Sequence, residues 1–262
     1  MSIVFDGKKF AADKEKVLKK EIASLKNKPK LVSILVGNDK ASLLYTKLKQ
    51  KAAIRVGAKF IIKKFPDKVT HTEIIKEIGK LNKDKKINGI MVQLPLPGKL
   101  KVKTRTIVNS IDKNKDVDGL RNKSQYKQAT VKGIESILDF ATKDLAYFGK
   151  RATVVGAKGI VGKGVVTMLE ERNYKVCICD KDTRDLYAKL TNADLVVSAT
   201  GVPELIKGEM IKEGSIAIDV GSPKGDFDGK VTERASFVTP VPGGVGPVTI
   251  VSLLENLVEA VK

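Results

Sequence analysis

The run Gly156-Ala157-Lys158-Gly159-Ile160-Val161-Gly162 combines residue types and spacing that could do chemistry. It follows the β-branched stretch Ala152-Thr153-Val154-Val155 and opens onto an apolar helical pattern at Val165, Val166, Met168 and Leu169. A glycine turn between a strand and a helix suits a phosphate. Glycines let the backbone turn tightly and approach a pyrophosphate, and the first turn of the helix offers unpaired N–H groups. Asp180 closes the next apolar run, eighteen residues after Gly162, where an acid can accept from ribose hydroxyls. Lys158, Lys181 and Arg184 could instead gather round a ribose 2′-phosphate, and a charged strand end without a ligand is the plainer account of the same residues.

A second set of polar residues lies in the first half. On a helix over Ala41–Val56, steps of about 100° put Ala41, Tyr45, Leu48, Ala52 and Val56 on one arc. Lys49 falls inside that arc, and Lys47 and Gln50 fall outside it. A lysine on the buried side of a helix is costly unless paired or neutral. Burial lowers its pKa and can make it a base near neutral pH, and a phenol one turn away can bond to it or to its substrate. Taken alone, the helix is better described by a lysine snorkelling from the edge of the stripe. Gln93, in Val92-Gln93-Leu94-Pro95-Leu96-Pro97, is an amide at the carboxyl end of a buried strand, where α/β sheets bind ligands. Asp118, in Lys115-Asp116-Val117-Asp118-Gly119, is a loop carboxylate able to take two N–H bonds from a guanidine-like edge such as a pterin's. Singly, Gln93 reads as a polar strand end and Asp118 as a solvated Asp-Gly turn.

The elements that must position these residues alternate along the chain. The first half reads as helix Lys14–Leu25 with Val17, Leu18, Ile22 and Leu25 on one side, strand Leu31–Val36, helix Ala41–Val56, strand Phe60–Phe65, helix Thr70–Leu81 and strand Ile90–Leu94. A long helix over Val131–Phe148, with Ile134, Ile137, Leu138, Ala141 and Leu145 on one face, connects to the second half. There, strands are expected at Ala152–Val155, Val176–Cys179, Leu195–Ser198, Ile216–Asp219 and near Phe237-Val238. Helices are expected at Gly162–Arg172, Arg184–Leu190, near Ile206–Ile211 and at Val248–Val261. Alternation of this kind predicts parallel sheets covered by helices.

Composition narrows the classes. The 262 residues hold 49 basic and 30 acidic side chains, a net charge of +19. The lysines are spread over every segment, aromatics are 5% and tryptophan is absent, so nucleic-acid binding by base stacking is disfavoured against a lysine-rich solvated surface. No run of eighteen apolar residues exists to cross a membrane, and residues 1–7 carry no basic-then-apolar signal, so the expected location is the cytoplasm. Cys177 and Cys179, two apart in one strand, are poorly placed for a disulfide. With His71 the single histidine, no zinc set can be assembled, and no metal is expected.

Five segments in one order resemble the bifunctional methylenetetrahydrofolate dehydrogenase/methenyltetrahydrofolate cyclohydrolase family over nearly the whole chain. They are Ser42-x-x-Tyr45-x-x-x-Lys49, the strand end around Gln93, the loop around Asp118, the glycine loop through Lys163, and Thr239-Pro240-Val241-Pro242-Gly243-Gly244-Val245-Gly246-Pro247-Val248-Thr249. The resemblance implies an N-terminal α/β catalytic domain and a Rossmann-type parallel-sheet cofactor domain separated by a cleft. The folate-binding catalytic domain would span residues 1–130, completed by the terminal helix 248–262, and the NAD(P) domain residues 131–247.

It also implies two reactions: oxidation of 5,10-methylenetetrahydrofolate to the methenyl form with NADP, and hydrolysis of that product to 10-formyltetrahydrofolate. A monofunctional NAD-dependent dehydrogenase is the alternative. The implied roles are Lys49 as the proton-moving amine, Gln93 as its holder, Tyr45 as orienter of the folate and Asp118 as the pterin grip. Pro242, Gly243, Gly244 and Pro247 would bring backbone close to substrate and nicotinamide. Gly156, Ala157, Lys158, Gly162, Asp180, Lys181 and Ser222 would hold the cofactor. A homodimer is implied as well. The chain departs from the family pattern at Lys158, usually serine, at Asp180, usually histidine, and in a shortened stretch from Pro223 to Ser236. Lys158 and Lys181 favour NADP, and Asp180 favours NAD.

Overall fold

The computed structural model describes residues 2–143 and 149–262. The strands are β1 (Ile3–Val4), β2 (Lys30–Val36), β3 (Lys59–Phe65), β4 (Gly89–Val92), β5 (Arg151–Val155), β6 (Lys175–Cys179), β7 (Leu195–Ser198), β8 (Ile216–Asp219) and β9 (Phe237–Val238). The α-helices are α1 (Gly7–Ser24), α2 (Lys40–Val56), α3 (His71–Lys83), α4 (Thr104–Asn109), α5 (Ala129–Thr142), α6 (Ile160–Glu171), α7 (Leu186–Thr191), α8 (Val231–Arg234) and α9 (Val245–Glu259). The chain divides into two compact units, Ala12–Ala129 with Ile250–Lys262, and Met1–Ala11 with Thr130–Thr249. Both are α/β with parallel sheets, the expected fold class.

In the first of these units, β2 lies between β3 and β4, all parallel. The central strand is buried along almost its whole length because helices cover both of its faces. Ile34, Ile74, Ile78, Ile90 and Ile107 are fully enclosed in one cluster, each worth roughly 1.5–3 kcal/mol on burial. The ends of the helices are set by local chemistry. Asp39 accepts from the Ser42 amide at 2.8 Å to start α2, and Gly57 at φ 91 ends it. Thr70 and Glu73 form a reciprocal capping box at α3.

In the second unit the sheet order is β1-β9-β8-β7-β5-β6. The pairing of Ile3 with Phe237 and Val4 with Val238 carries the N-terminal residues into this sheet, whereas the sequence reading assigned residues 1–130 to the other domain. The signal was weak because β1 is two residues long and its side chains are exposed. Phe5 and Phe10 then pack with Phe140 and Phe237 at centroid distances of 5.4–6.3 Å.

Other expectations shift. Helix α1 begins at Gly7 rather than Lys14, and Val17 is exposed while Leu18 and Ile22 are buried. The segment near Ile206–Ile211 is a single 3-10 turn, Gly208–Met210, because Ile206 bridges to Phe227 as extended chain. Helix α7 starts at Leu186 because Asp185 caps it, accepting from the Ala188 amide. Helix α9 starts three residues early, since Pro247 in a first turn sacrifices no helical hydrogen bond. Helix α5 is described to Thr142, and Leu145 with the remainder of the expected Val131–Phe148 helix lies outside the described residues.

Candidate active site

Helix α2 presents Ser42, Thr46, Lys49, Ala52, Ala53 and Val56 to the interior, one face at three- and four-residue steps. Of the arc expected from the sequence, Lys49, Ala52 and Val56 are buried and Ala41 and Tyr45 half-buried, and Leu48 at its edge is exposed. The inward stripe also carries Ser42 and Thr46, which hydrophobicity does not mark. Lys49 therefore stands near the centre of the buried face, 9% exposed. Tyr45, one turn earlier, is half-buried.

Strand β4 supplies the partner. Gln93 extends the ladder beyond Val92, its amide donating to Ile34 O at 2.8 Å. The Lys49 Nζ donates to Gln93 Oε1 at 3.0 Å, and Gln93 Nε2 donates to Leu94 O at 2.8 Å. With its N–H2 tied to the backbone, the amide must turn its oxygen to the lysine. Burial pushes the Lys49 ammonium below the ordinary lysine range, and the Asp118 carboxylate pulls it part of the way back. Burial pushes Asp118 up, and Lys49 opposes that. Two groups of opposite sign thus share one poorly hydrated place, with the amine biased towards its neutral form.

The loop bearing Asp118 is fastened residue by residue. Lys115 Nζ donates to the carbonyls of Leu81, Asn82 and Asp84 at 3.0, 2.8 and 2.8 Å, at the C-terminal end of α3. Asp116 is fully buried and accepts from the Arg121 amide at 2.9 Å. Val117 closes over Gly89, where a Cβ would lie 2.8 Å from its Cγ2, and its carbonyl accepts from Asn256 Nδ2 at 2.9 Å. Gly119 has φ +68, and a Cβ there would meet the Gln128 backbone at 2.6 Å. The Asp-Gly turn is a clamped loop, and the half-buried Asp118 is its delivered group.

In the other unit, the glycine loop leaves β5 and enters α6. Gly156 has φ +80, and a Cβ on it would sit 2.5 Å from Ala199 O. A Cβ on Gly162 would sit 2.3 Å from Gly156 O. Gly159 is the N-cap of α6 and supplies no side-chain acceptor to the first-turn amides. A tight turn with an uncapped helix start fits a pyrophosphate. Ala157 is buried beneath the turn. Lys158 forms an ion pair with Asp180 at the end of β6. That pairing holds the Asp180 carboxyl low and the Lys158 ammonium high. Lys181 points outward and pairs with Asp182 at 3.0 Å rather than joining Lys158. Ser222 is exposed beyond β8. The bend at Pro242, Gly243 and Gly244 precedes α9, and Pro247 lies in that helix's first turn. Gly243 has φ +109, and Gly244 is packed so closely that a Cβ would meet Pro240 O at 2.6 Å.

Residues 5–118 match the family profile described as tetrahydrofolate dehydrogenase/cyclohydrolase, catalytic domain, and residues 128–262 match its NAD(P)-binding domain. The chain belongs to the tetrahydrofolate dehydrogenase/cyclohydrolase family. Among its relatives in that family, Bifunctional protein FolD 2 of Geobacter metallireducens is 41% identical, over 100% of this chain and 98% of the relative. The crystal structure of the bifunctional FolD of Campylobacter jejuni superposes with a TM-score of 0.91 at 36% identity, covering 100% and 99% of the two chains. The Trypanosoma brucei FolD, solved with NADP and an inhibitor, gives 0.91 at 32% identity, covering 99% and 97%. The family resemblance drawn from the five segments is borne out.

Within this family member, the residues marked by the sequence fall into two groups. Lys49, Gln93 and Asp118 converge, with Tyr45 on the same helix as the lysine. Lys158 and Asp180 join the glycine loop, whereas Lys181 does not. Two features were missed. One is Asp116, whose hydrogen bonds to Arg121, Ser124 and Gly119 support the Asp118 loop. The other is a buried hydrogen-bond cluster of Ser198, Thr200, Asp219 and Asp226 behind the glycine loop. Nothing in residue spacing announces it, since Ser198 and Asp226 are 28 positions apart.

Proposed function

We propose that this chain oxidises 5,10-methylenetetrahydrofolate to 5,10-methenyltetrahydrofolate with NADP, and hydrolyses the product to 10-formyltetrahydrofolate. The observation that carries the reading is the buried Lys49–Gln93 hydrogen bond beside Asp118. Hydrolysis of a methenyl cation needs a proton taken from attacking water and returned as the ring opens. An amine depressed by burial and held by an amide is suited to both transfers. Gln93 fixes the direction of the Nζ. Asp118 accepts the pterin N–H edge and keeps Lys49 from losing its proton outright. Tyr45 orients the folate against the lysine.

When bound, the nicotinamide accepts the hydride from the methylene carbon. The chain's part in that step is binding and alignment. Gly156, Ala157 and Gly162 leave room for the pyrophosphate. Lys158 and Asp180 face the adenosine ribose, Ser222 beyond β8 contributes to the cofactor site as well, and Lys181 adds positive potential from outside. Pro242, Gly243, Gly244 and Pro247 shape the backbone facing the reactive rings. The Lys158 charge already neutralises Asp180, which supports NADP over NAD. The T. brucei FolD solved with NADP supports the same choice.

Among the described residues no helix is long and apolar enough to cross a membrane. A cytoplasmic homodimer that does not engage nucleic acid completes the proposal. An absorbance assay with methylenetetrahydrofolate and each nicotinamide tests it. Reduction of NADP followed by decay of the methenyl absorbance is expected. Turnover with neither nucleotide would overturn the dehydrogenase assignment.

A further inference from the structure

Asp226 gathers four donors on one carboxylate oxygen at the carboxyl side of the six-stranded sheet. It is fully buried. Its Oδ2 accepts from Ser198 Oγ at 2.7 Å, Thr200 N at 2.8 Å, Thr200 Oγ1 at 2.8 Å and Gly201 N at 3.3 Å. All of these donors belong to the end of β7 and the turn that follows it. Asp226 itself comes from a different loop, after β8. That loop is fixed independently, because Asp219 accepts from Gly221 N at 2.8 Å and from Phe227 N at 3.0 Å, and the Ile206 amide donates to Asp226 O at 3.0 Å.

The turn held by Asp226 is the surface on which the glycine loop rests. Ala199 N donates to Val155 O at 2.9 Å, and the space for a Cβ on Gly156 is filled by Ala199 O at 2.5 Å and Thr200 N at 3.1 Å. A shift of the 199–200 peptide must therefore move Gly156, the residue at which the pyrophosphate turn begins. The peptide cannot relax freely, because Gly201 occupies φ +69 and Thr200 Oγ1 also accepts from Val202 N at 3.1 Å.

We infer that Asp226 is a positioning residue for dinucleotide binding: by gathering the donors of Ser198, Thr200 and Gly201 it sets the turn that supports Gly156, and through it the affinity for the nicotinamide dinucleotide. The inference rests on the assignment of the glycine loop to that ligand. It does not involve the Lys49 group, whose hydrolytic chemistry uses no dinucleotide. Losing an anchor shared by several donors leaves the buried Ser198 hydroxyl and the partly buried Thr200 donors without their acceptor, a penalty on the native turn.

Asp226→Ala and Thr200→Val test it, with NADP binding followed by fluorescence titration and methenyltetrahydrofolate hydrolysis measured on the same preparations. Asp226→Ala should weaken NADP binding by about tenfold or more, and Thr200→Val, which keeps the amide donor, by several-fold. Hydrolysis of methenyltetrahydrofolate should stay within about twofold of wild type in both. The double variant should lose less than the product of the two single losses, because they break one shared contact. If Asp226→Ala fails to fold, Thr200→Val still decides. Unchanged NADP affinity in a folded variant, or a parallel loss of hydrolysis, overturns the inference. Absence of NADP binding in the wild-type chain would instead overturn the assignment of the loop.

Discussion

Lys49 and Gln93 are joined by a single 3.0 Å hydrogen bond that crosses from the middle of a helix to the end of a strand. It is the contact that makes a buried lysine tolerable in this unit. A lone ammonium there would cost several kcal/mol. Removing the amine while keeping the stem should therefore cost little stability and most of the hydrolytic activity. Lys49→Met is expected to lower methenyltetrahydrofolate hydrolysis by about a hundredfold or more, with a urea midpoint equal to or above that of the wild type. Unchanged hydrolysis would remove Lys49 from the proton-moving role.

Asp118 sets how readily that amine gives up its proton. Its negative charge raises the Lys49 pKa against the larger lowering by burial. Asp118→Asn removes the charge and keeps the shape, so the Lys49 pKa should fall further. Since the neutral amine is the base, the rising limb of kcat against pH for hydrolysis should move to lower pH. KM for the folate should rise at the same time, from loss of the carboxylate's grip on the pterin edge. A pH profile that stays in place would show that Asp118 does not govern the lysine.

The alternation of strands and helices was legible because buried β-branched runs such as Val32–Val36 and Ile216–Ile218 have little other use. The N-terminal strand was not, because Ile3 and Val4 pair through backbone alone and leave their side chains exposed. Lys49 was legible as a candidate from helical phase, because Ala52 and Val56 mark its side of the helix, whereas Ser42 and Thr46 on the same stripe carry no hydrophobic signal. The loop from Lys115 to Gly119 could be marked by its residue types. Its tethering to α3 and to Asn256 depends on contacts across more than thirty and more than a hundred residues, which no local pattern encodes. Asp226 was silent for the same reason.

At the end of β6, Lys158 and Asp180 neutralise one another. Both side chains are near solvent, so the pair steers choice rather than stability. Asp180→Ser releases Lys158 towards a 2′-phosphate and removes a carboxylate that would repel it. The ratio of kcat/KM for NADP to that for NAD should rise by about tenfold, a change of about 1.4 kcal/mol in relative transition-state binding. An unaltered ratio would show that Asp180 does not read the ribose. Lys158→Ala should move the same ratio the other way.

Asp116 carries a pH dependence of stability that can be isolated. Burial pushes its carboxyl from 3.8 up to about 6, and the neighbouring Asp118 charge adds to the rise. In the folded chain Asp116 therefore holds its proton over a range in which the unfolded chain has released it. The folded state is favoured by this group below about pH 4 and loses that advantage as pH rises through about 6. The size of the loss is about 3 kcal/mol, from a shift of roughly two pKa units at full burial. Asp116→Asn keeps an acceptor for the Arg121 amide and does not titrate. Urea denaturation of both proteins between pH 4.5 and 7.5 should show the wild type losing about 2 kcal/mol or more relative to the variant as pH increases. Parallel curves would place the Asp116 carboxyl in its ordinary range, and the buried clamp beneath Asp118 would then be an ionised one across the whole interval.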